Sequence, residues 1–252
     1  MPKHDLSLHP PLMNAAGTLG FAPDLHSAVD WSRLGAFITN PVSLAPRTPA
    51  RGQRFTVFPG GYLLHTGYPN PGLSHVIRHY ASHWKRSPIP VVVHLFTRSA
   101  EELSEMVQRL EALDGVTGLE IGVTSEADAD SVEALVQAAS GELPVIMRLP
   151  MEGAAELAGI AIHSGATAIS LAPPRGELPS LSGNLNQGRL YGPAIFPLAL
   201  RMTHELSQQS IPIIAAGGVT TRQDVEAMLA AGAMAVQLDS ALWRDAGYNF
   251  LA

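Results

Sequence analysis

The chain contains no cysteine, which excludes disulfides, a thiolate nucleophile, and zinc or iron–sulfur sites held by thiolates. Charge is sparse. Only 15% of the residues are Asp, Glu, Lys or Arg, 16 of them basic, and the formal charge is -6. That balance argues against nucleic acid or an anionic membrane surface as a partner. No run approaches the roughly 18 apolar residues of a membrane span. The opening M-P-K-H-D-L-S-L-H-P lacks the apolar core of a secretion signal, so a cytoplasmic protein is expected. The 20 Pro and 23 Gly are spread between segments rather than gathered at one end, so neither a linker nor a disordered tail is indicated. What remains is a chain of 252 residues, 46% hydrophobic. That is enough for one large core in a single domain over residues 1–252, a size usual for an eight-fold βα barrel.

The stretch Ile211 to Trp243 organises the rest. Ile211 to Ala216 is apolar, β-branched and too short for a helix, so it reads as a buried strand. Gly217 and Gly218 then allow close backbone approach. Thr220 or Thr221 with Asp224 makes a helix N-cap and first turn. Val225, Met228 and Leu229 recur at helical spacing, Gly232 ends the helix, and Ala235 to Leu238 is the next strand. The junction offers free N–H groups and the positive end of a helix dipole, where a phosphate could sit. A tight turn without a ligand has the same sequence signature.

Upstream, short apolar runs alternate with helical patterns. Strands are expected at Leu12 to Ala15, Gly35 to Thr39, Val91 to Phe96, Leu119 to Ile121, Val145 to Leu149 and Ala168 to Leu171. Helices are expected at Leu25 to Leu34, Leu73 to Trp84, Ala100 to Leu113, Asp128 to Ala139, Ala154 to His163 and Pro197 to Gln209. Eight strands in strict alternation with seven or eight helices favour a closed (β/α)8 TIM barrel. The segment Asn40 to Gly72 is too long for an ordinary connection and reads as a cap or hairpin. Pro173 to Phe196 reads as a second, irregular insertion. Both follow strands, so both should cover the C-terminal face of the barrel, where ligands bind.

The segments L-M-N-A-A-G-T-L-G (Leu12 to Gly20), G-A-F-I-T-N-P-V-S-L-A-P-R (Gly35 to Arg47), F-P-G-G-Y-L-L-H-T-G-Y-P-N-P-G (Phe58 to Gly72) and Y-G-P-A-I-F-P-L-A-L-R (Tyr191 to Arg201), with the Gly217-Gly218 unit, resemble the dihydroorotate dehydrogenase family of FMN-containing barrels. The resemblance implies FMN as cofactor, a small-molecule substrate, and a homodimer of the kind the family often forms. It places the flavin against Ala15, Ala16, Gly17 and Thr18, and its phosphate on Gly217 and Gly218, with Gly192 and Ser240 in the surrounding motifs. Asn40 stands where the family has a Lys. Arg148 stands where a second Lys stabilises the reduced flavin, keeping the charge in a planar, bulkier group. The family's substrate-gripping Asn residues correspond to Leu64, Gly122, Ala127 and Ala172. All four lack the amide, and each lost partner costs roughly 1–3 kcal/mol, so orotate is not the expected substrate.

Ser125 aligns with the family's catalytic Cys or Ser. It also has Asp128 three residues on, the pattern of a plain helix N-cap. His94 and His65 could act as acid or base, or be satisfied structural histidines. Glu120 and Arg148, on adjacent strands, read as an internal ion pair that fixes Arg148. Asp239 replaces a Gly beside the family's phosphate, where two unit charges ~4 Å apart would repel by about 4 kcal/mol at an effective dielectric of roughly 20. It must point away or pair with Arg189 or Arg244 for FMN to bind well. The residues therefore support an FMN-dependent dehydrogenase of the CH–CH class using Ser125, His94 and Arg148, or a flavin-free barrel with a binding or regulatory role. His75, His79 and His83 have i, i+4 spacing on a surface helix and read as a solvated face, so no metal site is expected.

Overall fold

The computed structural model describes residues 6–27, 29–180 and 183–243. Eight parallel strands form the central sheet: β1 (Leu12–Asn14), β2 (Phe37–Ile38), β5 (Val91–Phe96), β6 (Val116–Gly122), β7 (Val145–Pro150), β8 (Ala168–Ala172), β11 (Ile213–Ala216) and β12 (Ala235–Leu238). Their spatial order is β1-β12-β11-β8-β7-β6-β5-β2. The helices α1 (Leu73–Lys85), α2 (Ala100–Glu111), α3 (Ala129–Ala139), α4 (Ala154–His163), α5 (Phe196–Gln208) and α6 (Arg222–Ala230) cover its outer surface. This is the expected (β/α)8 barrel.

The strands at the two ends of that order, β1 and β2, meet at a seam. Met13 and Ala36 make a parallel bridge there, and Gly35 N–H donates to Leu12 O at 2.8 Å. The buried Asn14 side chain completes the closure. Its Nδ2 donates to Ile38 O at 2.7 Å, and its Oδ1 accepts from Ile38 N at 2.9 Å. One amide thus stands in for a rung of backbone ladder, satisfying groups that have no strand partner.

Because side chains alternate across a strand, the barrel interior is built in layers. Met13, Ile38, Val92, Ile146, Ala168, Ile214 and Ala235 form a buried apolar cluster. Two residues further along four of the same strands come His94, Arg148, Ser170 and Gln237, joined by Glu120 from β6, all buried. The pairs Val92↔Gly118, His94↔Glu120 and Arg148↔Ser170 fix this register. A polar layer therefore sits on an apolar floor, toward the C-terminal end of the strands.

Helix starts follow local chemistry. The Ser99 side chain caps α2, and Thr221 with Asp224 forms a capping box on α6. Two expectations fail here. The helix expected at Leu25 to Leu34 is only a 3-10 turn at Trp31–Arg33. Asp24 and Asp30 each turn their carboxylates onto the backbone N–H two residues on, and such local bonds compete with helix propagation. The second insertion is not irregular. It forms β9 (Arg175–Pro179) and β10 (Leu185–Tyr191), which join β3 (Phe55–Phe58) and β4 (Gly61–Leu64) in an antiparallel sheet of order β3-β4-β10-β9. The first insertion is the expected hairpin, and the sheet lies over the C-terminal face. Among the described residues, no helix is long and apolar enough to cross a membrane.

Asn14→Ala should leave a buried N–H and C=O of Ile38 unpaired and open the seam. We expect a loss of about 2–4 kcal/mol in unfolding free energy, read as a lower urea midpoint.

Candidate active site

Glu120, fully buried on β6, is the hub of the polar layer. Its Oε1 accepts from Ser170 Oγ at 2.8 Å and from Gln237 Nε2 at 2.6 Å. Its Oε2 lies 2.6 Å from His94 Nδ1 and 3.6 Å from Arg148 Nη1. Burial alone would raise its pKa, but the Arg148 charge with the bonds from His94 and Gln237 outweighs it and holds the group at about 2. The expected Glu120–Arg148 pair is present.

His94 is also buried, and burial pushes its pKa down more than Glu120 lifts it. The ring is then neutral near pH 7. It gives Nδ1–H to the carboxylate and keeps a lone pair on Nε2. Nε2 lies 2.8 Å from where a Cβ on Gly122 would be. The imidazole thus occupies space that a side chain at position 122 would need, which explains why only glycine fits there. Arg148 remains charged: burial opposes the charge, but Glu120, Tyr68, Tyr191 and Asp239 more than restore it.

Two regions of the barrel mouth lie within electrostatic reach of Arg148, through Tyr68 and Tyr191 in one and Asp239 in the other. One is a cavity of about 260 Å³ between the antiparallel sheet and the barrel mouth, walled in part by Leu64, His65, Tyr68, Phe96, Ser125 and Tyr191. Tyr68 holds a left-handed backbone at φ 54, an uncommon state for a bulky residue and one that concentrates at functional sites. Ser125 is exposed there, with Oγ donating to Glu126 Oε1 at 2.7 Å. It is not the helix cap its spacing suggested. Asp128 caps α3, accepting from Ser131 N at 2.9 Å, because the chain makes a further turn at residues 125–126 before the helix begins.

The other region is the glycine rim. Gly217 and Gly218 have φ of 116 and 71, and a Cβ on Gly218 would collide with the backbone of Phe196 and, at 2.9 Å, with Gly192 O. The rim is packed against the start of α5, and glycine is required for that packing whether or not a ligand binds. Asp239 is buried beside it. It neither points outward nor pairs with Arg189; Arg244 lies outside the described residues. Its Oδ1 instead accepts from the backbone N–H of Ser240 and from Ser240 Oγ. Burial raises its pKa, while Ser240, Arg148 and the backbone N–H of Gly218 favour the charged form. A carboxylate thus sits where the turn's N–H groups converge.

The remaining expected positions form the opposite wall. Ala15 is held by a bond from its N–H to Leu238 O at 2.7 Å, and Thr18 Oγ1 donates to Ala15 O at 2.6 Å. Ala16 is half-buried, and Gly17 has φ 92. Asn40 Oδ1 accepts from Gly20 N at 3.2 Å, tying the end of β2 to this turn. An aromatic group that the sequence reading did not single out joins both walls. Tyr191 stacks on Tyr62 with centroids 5.4 Å apart, Trp243 packs beside them at 6.3 and 6.5 Å, and Trp243 Nε1 donates to Thr18 O at 3.1 Å. Burial pushes the Tyr191 hydroxyl up to about 12. Tyr191 lies inside a quoted motif, but nothing local to it signals that its hydroxyl feels the charges of Arg148 and Asp239. Among the described residues no His, Asp or Glu cluster could hold a metal.

A (β/α)8 barrel with a cation pinned beneath its mouth and paired glycines on its rim defines a class of ligand-binding barrel. The dihydroorotate dehydrogenase profile matches residues 3–130 and 149–249, and the chain belongs to that family of oxidoreductases. Three similar proteins share the name dihydroorotate dehydrogenase B (NAD(+)), catalytic subunit. That of Geotalea daltonii is 31% identical over 97% of this chain and 90% of its own length. Those of Pelobacter propionicus and Desulforudis audaxviator are 32% and 29% identical, each over 94% of this chain and 84% of its own length. The family's enzymes are FMN-dependent. The donor set here fits that group: a buried guanidinium, backbone N–H groups of Gly218 and Ser240, and the turn Ala15 to Thr18. The fit carries one condition, that Asp239 be protonated or displaced, since its carboxylate uses the donors a phosphate needs.

Glu120 has an ordinary pKa of 4.5, lowered to about 2 in the fold. Its contribution to stability is therefore complete above about pH 4.5 and lost as pH falls toward 2, a span of about 3 kcal/mol. Glu120→Gln should flatten that acid limb in denaturation curves. It should also cost about 3–5 kcal/mol at neutral pH by leaving Arg148 unpaired.

Proposed function

We propose that this chain is an FMN-dependent oxidoreductase of the CH–CH class acting on a small compound other than orotate. The observation that carries the reading is Arg148, a buried cation pinned by Glu120 at 3.6 Å and coupled electrostatically to Tyr191 and Asp239. FMN would supply the two-electron acceptor. Ala15, Ala16, Gly17, Thr18 and Asn40 would hold its ring side, and Gly192, Gly217, Gly218 and Ser240 its phosphate. Arg148, kept in one orientation by Glu120, would balance negative charge gathering beside it.

Ser125 is the better placed of the two bases. It stands exposed in the cavity wall, and its hydroxyl proton already points to Glu126. On taking a proton from a substrate carbon, it would pass its own to that carboxylate. His94 Nε2 is a second acceptor, set deeper and nearly closed off from solvent. The absence of amides at Leu64, Gly122, Ala127 and Ala172 supports a substrate other than orotate, and His94 already fills the space at Gly122. The names of the similar proteins specify NAD(+) and a catalytic subunit. They make NAD(+) the first electron acceptor to try and imply a second kind of subunit. A homodimer rests on the resemblance alone.

One observation favours the flavin-free barrel instead: the Asp239 carboxylate already occupies the rim's donors. A titration of the purified protein with FMN, followed by fluorescence quenching and the visible band, separates the two readings. Uptake should weaken as pH rises, because Asp239 must be neutral when the phosphate is bound. Asp239→Asn should keep only the pH dependence due to the phosphate itself. Asp239→Gly should tighten FMN on the order of a hundredfold. A protein that stays colourless even as Asp239→Gly would sink the oxidoreductase reading and leave the second.

A further inference from the structure

The cavity that holds Ser125 is also strongly basic. Arg47, Arg98, Arg175 and Arg189 all line it, four of the chain's 16 basic residues, against one acid, Glu126. The four come from separate pieces of chain: the loop after β2, the loop after β5, and strands β9 and β10. No local sequence pattern therefore announces them. A chain of net charge -6 that gathers four guanidinium groups around one hollow has a strongly local field there.

These arginines are not consumed by internal pairing. Among the described residues, none of the four lies in an ion pair with a carboxylate. Arg47 is steered by a bond from Nε to Gly67 O at 3.2 Å, with its guanidinium 5.0 Å from the Phe96 ring centroid. Arg189 is steered by a bond from Nη1 to Pro173 O at 3.2 Å and lies 5.7 Å from the Tyr68 ring centroid. Carbonyl and aromatic partners hold a guanidinium in place without cancelling its charge. Arg175 faces Glu126 across the cavity, but that carboxylate is engaged first by Ser125. The fixed positive charge therefore exceeds the negative, inside a volume of about 260 Å³ that suits a small molecule rather than a polymer.

We propose that the substrate is a small organic polyanion, carrying at least two carboxylate or phosphate groups, with its charged ends on these arginines and a C–H bond beside Ser125. The proposal rests on the oxidoreductase reading for its chemistry but not for its binding. A neutral or singly charged compound would leave two or more guanidinium groups facing each other unsatisfied. A polyanion turns the same groups into bidentate contacts that fix which carbon meets the base.

The test is calorimetry on the purified full chain, with and without added FMN, using citrate and pyrophosphate as polyanionic probes and acetate and glycerol as controls. Citrate, pyrophosphate or both should bind at least tenfold tighter than acetate. The stronger of the two identifies carboxylate or phosphate as the preferred group. Arg98→Ala and Arg175→Ala lie in exposed walls and should leave the melting temperature without ligand unchanged, while weakening the polyanion about fivefold to tenfold each. Glu126→Gln, which removes the one opposing charge, should tighten it. Pyrophosphate bound only at the glycine rim would be insensitive to Arg98→Ala and would count against the proposal. So would equal affinity for acetate and citrate, or no binding at all. Polyanion binding with no FMN uptake even as Asp239→Gly would uphold the cavity assignment and sink the oxidoreductase reading; FMN uptake without polyanion binding would do the reverse.

Discussion

A single buried carboxylate governs the mouth of this barrel. Glu120 is fully buried and has four partners drawn from four other strands. A charge in that position survives only because each oxygen is met by donors and a cation. The same requirement works in reverse. Arg148 cannot swing away, His94 cannot change tautomer, and Ser170 and Gln237 cannot rotate without exposing Glu120 to an uncompensated burial. The polar layer thus behaves as one rigid plate above the apolar floor, and the groups facing the ligand inherit that rigidity.

Above the plate the two ends of the site differ in character. The cavity side is cationic and partly open, with Ser125 and Glu126 in its wall. The rim side is tight: Gly218 packs on Phe196 and Gly192, Asp239 is turned inward, and Tyr191, Tyr62 and Trp243 bridge from the antiparallel sheet to the turn at Thr18. Arg148 couples to both, its charge felt by Tyr191 and Asp239 alike. An alteration on one side is therefore communicated to the other through one guanidinium.

Much of the barrel was legible because strand and helix periods are local. The runs at Val91 to Phe96, Ala154 to His163 and Ala235 to Leu238 match the observed elements end to end. Where short-range bonds compete, as at Asp24 and Asp30, periodicity misled. Where pairing is long-range, as between β10 and β4, it was silent. The site divides in the same way. Glu120 and Arg148 could be paired on paper because adjacent parallel strands keep their register. The direction of the Asp239 carboxylate could not, since it depends on which backbone N–H groups happen to converge. Ser125 fits a cap and a catalytic base equally in sequence, because a spacing of three residues suits both a cap and the extra turn that precedes Asp128. The four cavity arginines leave no local mark in the sequence, because they are neighbours only in the folded chain.

The pairing of β10 with β4 also bears on the order of assembly. The roof of the cavity is made from two hairpins separated in sequence by α1 through β8, and its register is set only when β10 finds β4. Such non-local contacts close late, after their loop entropy has been offset by the barrel beneath. The cationic hollow is therefore among the last parts of the molecule to exist during folding, and a newly made chain would be a complete barrel before that hollow had a roof.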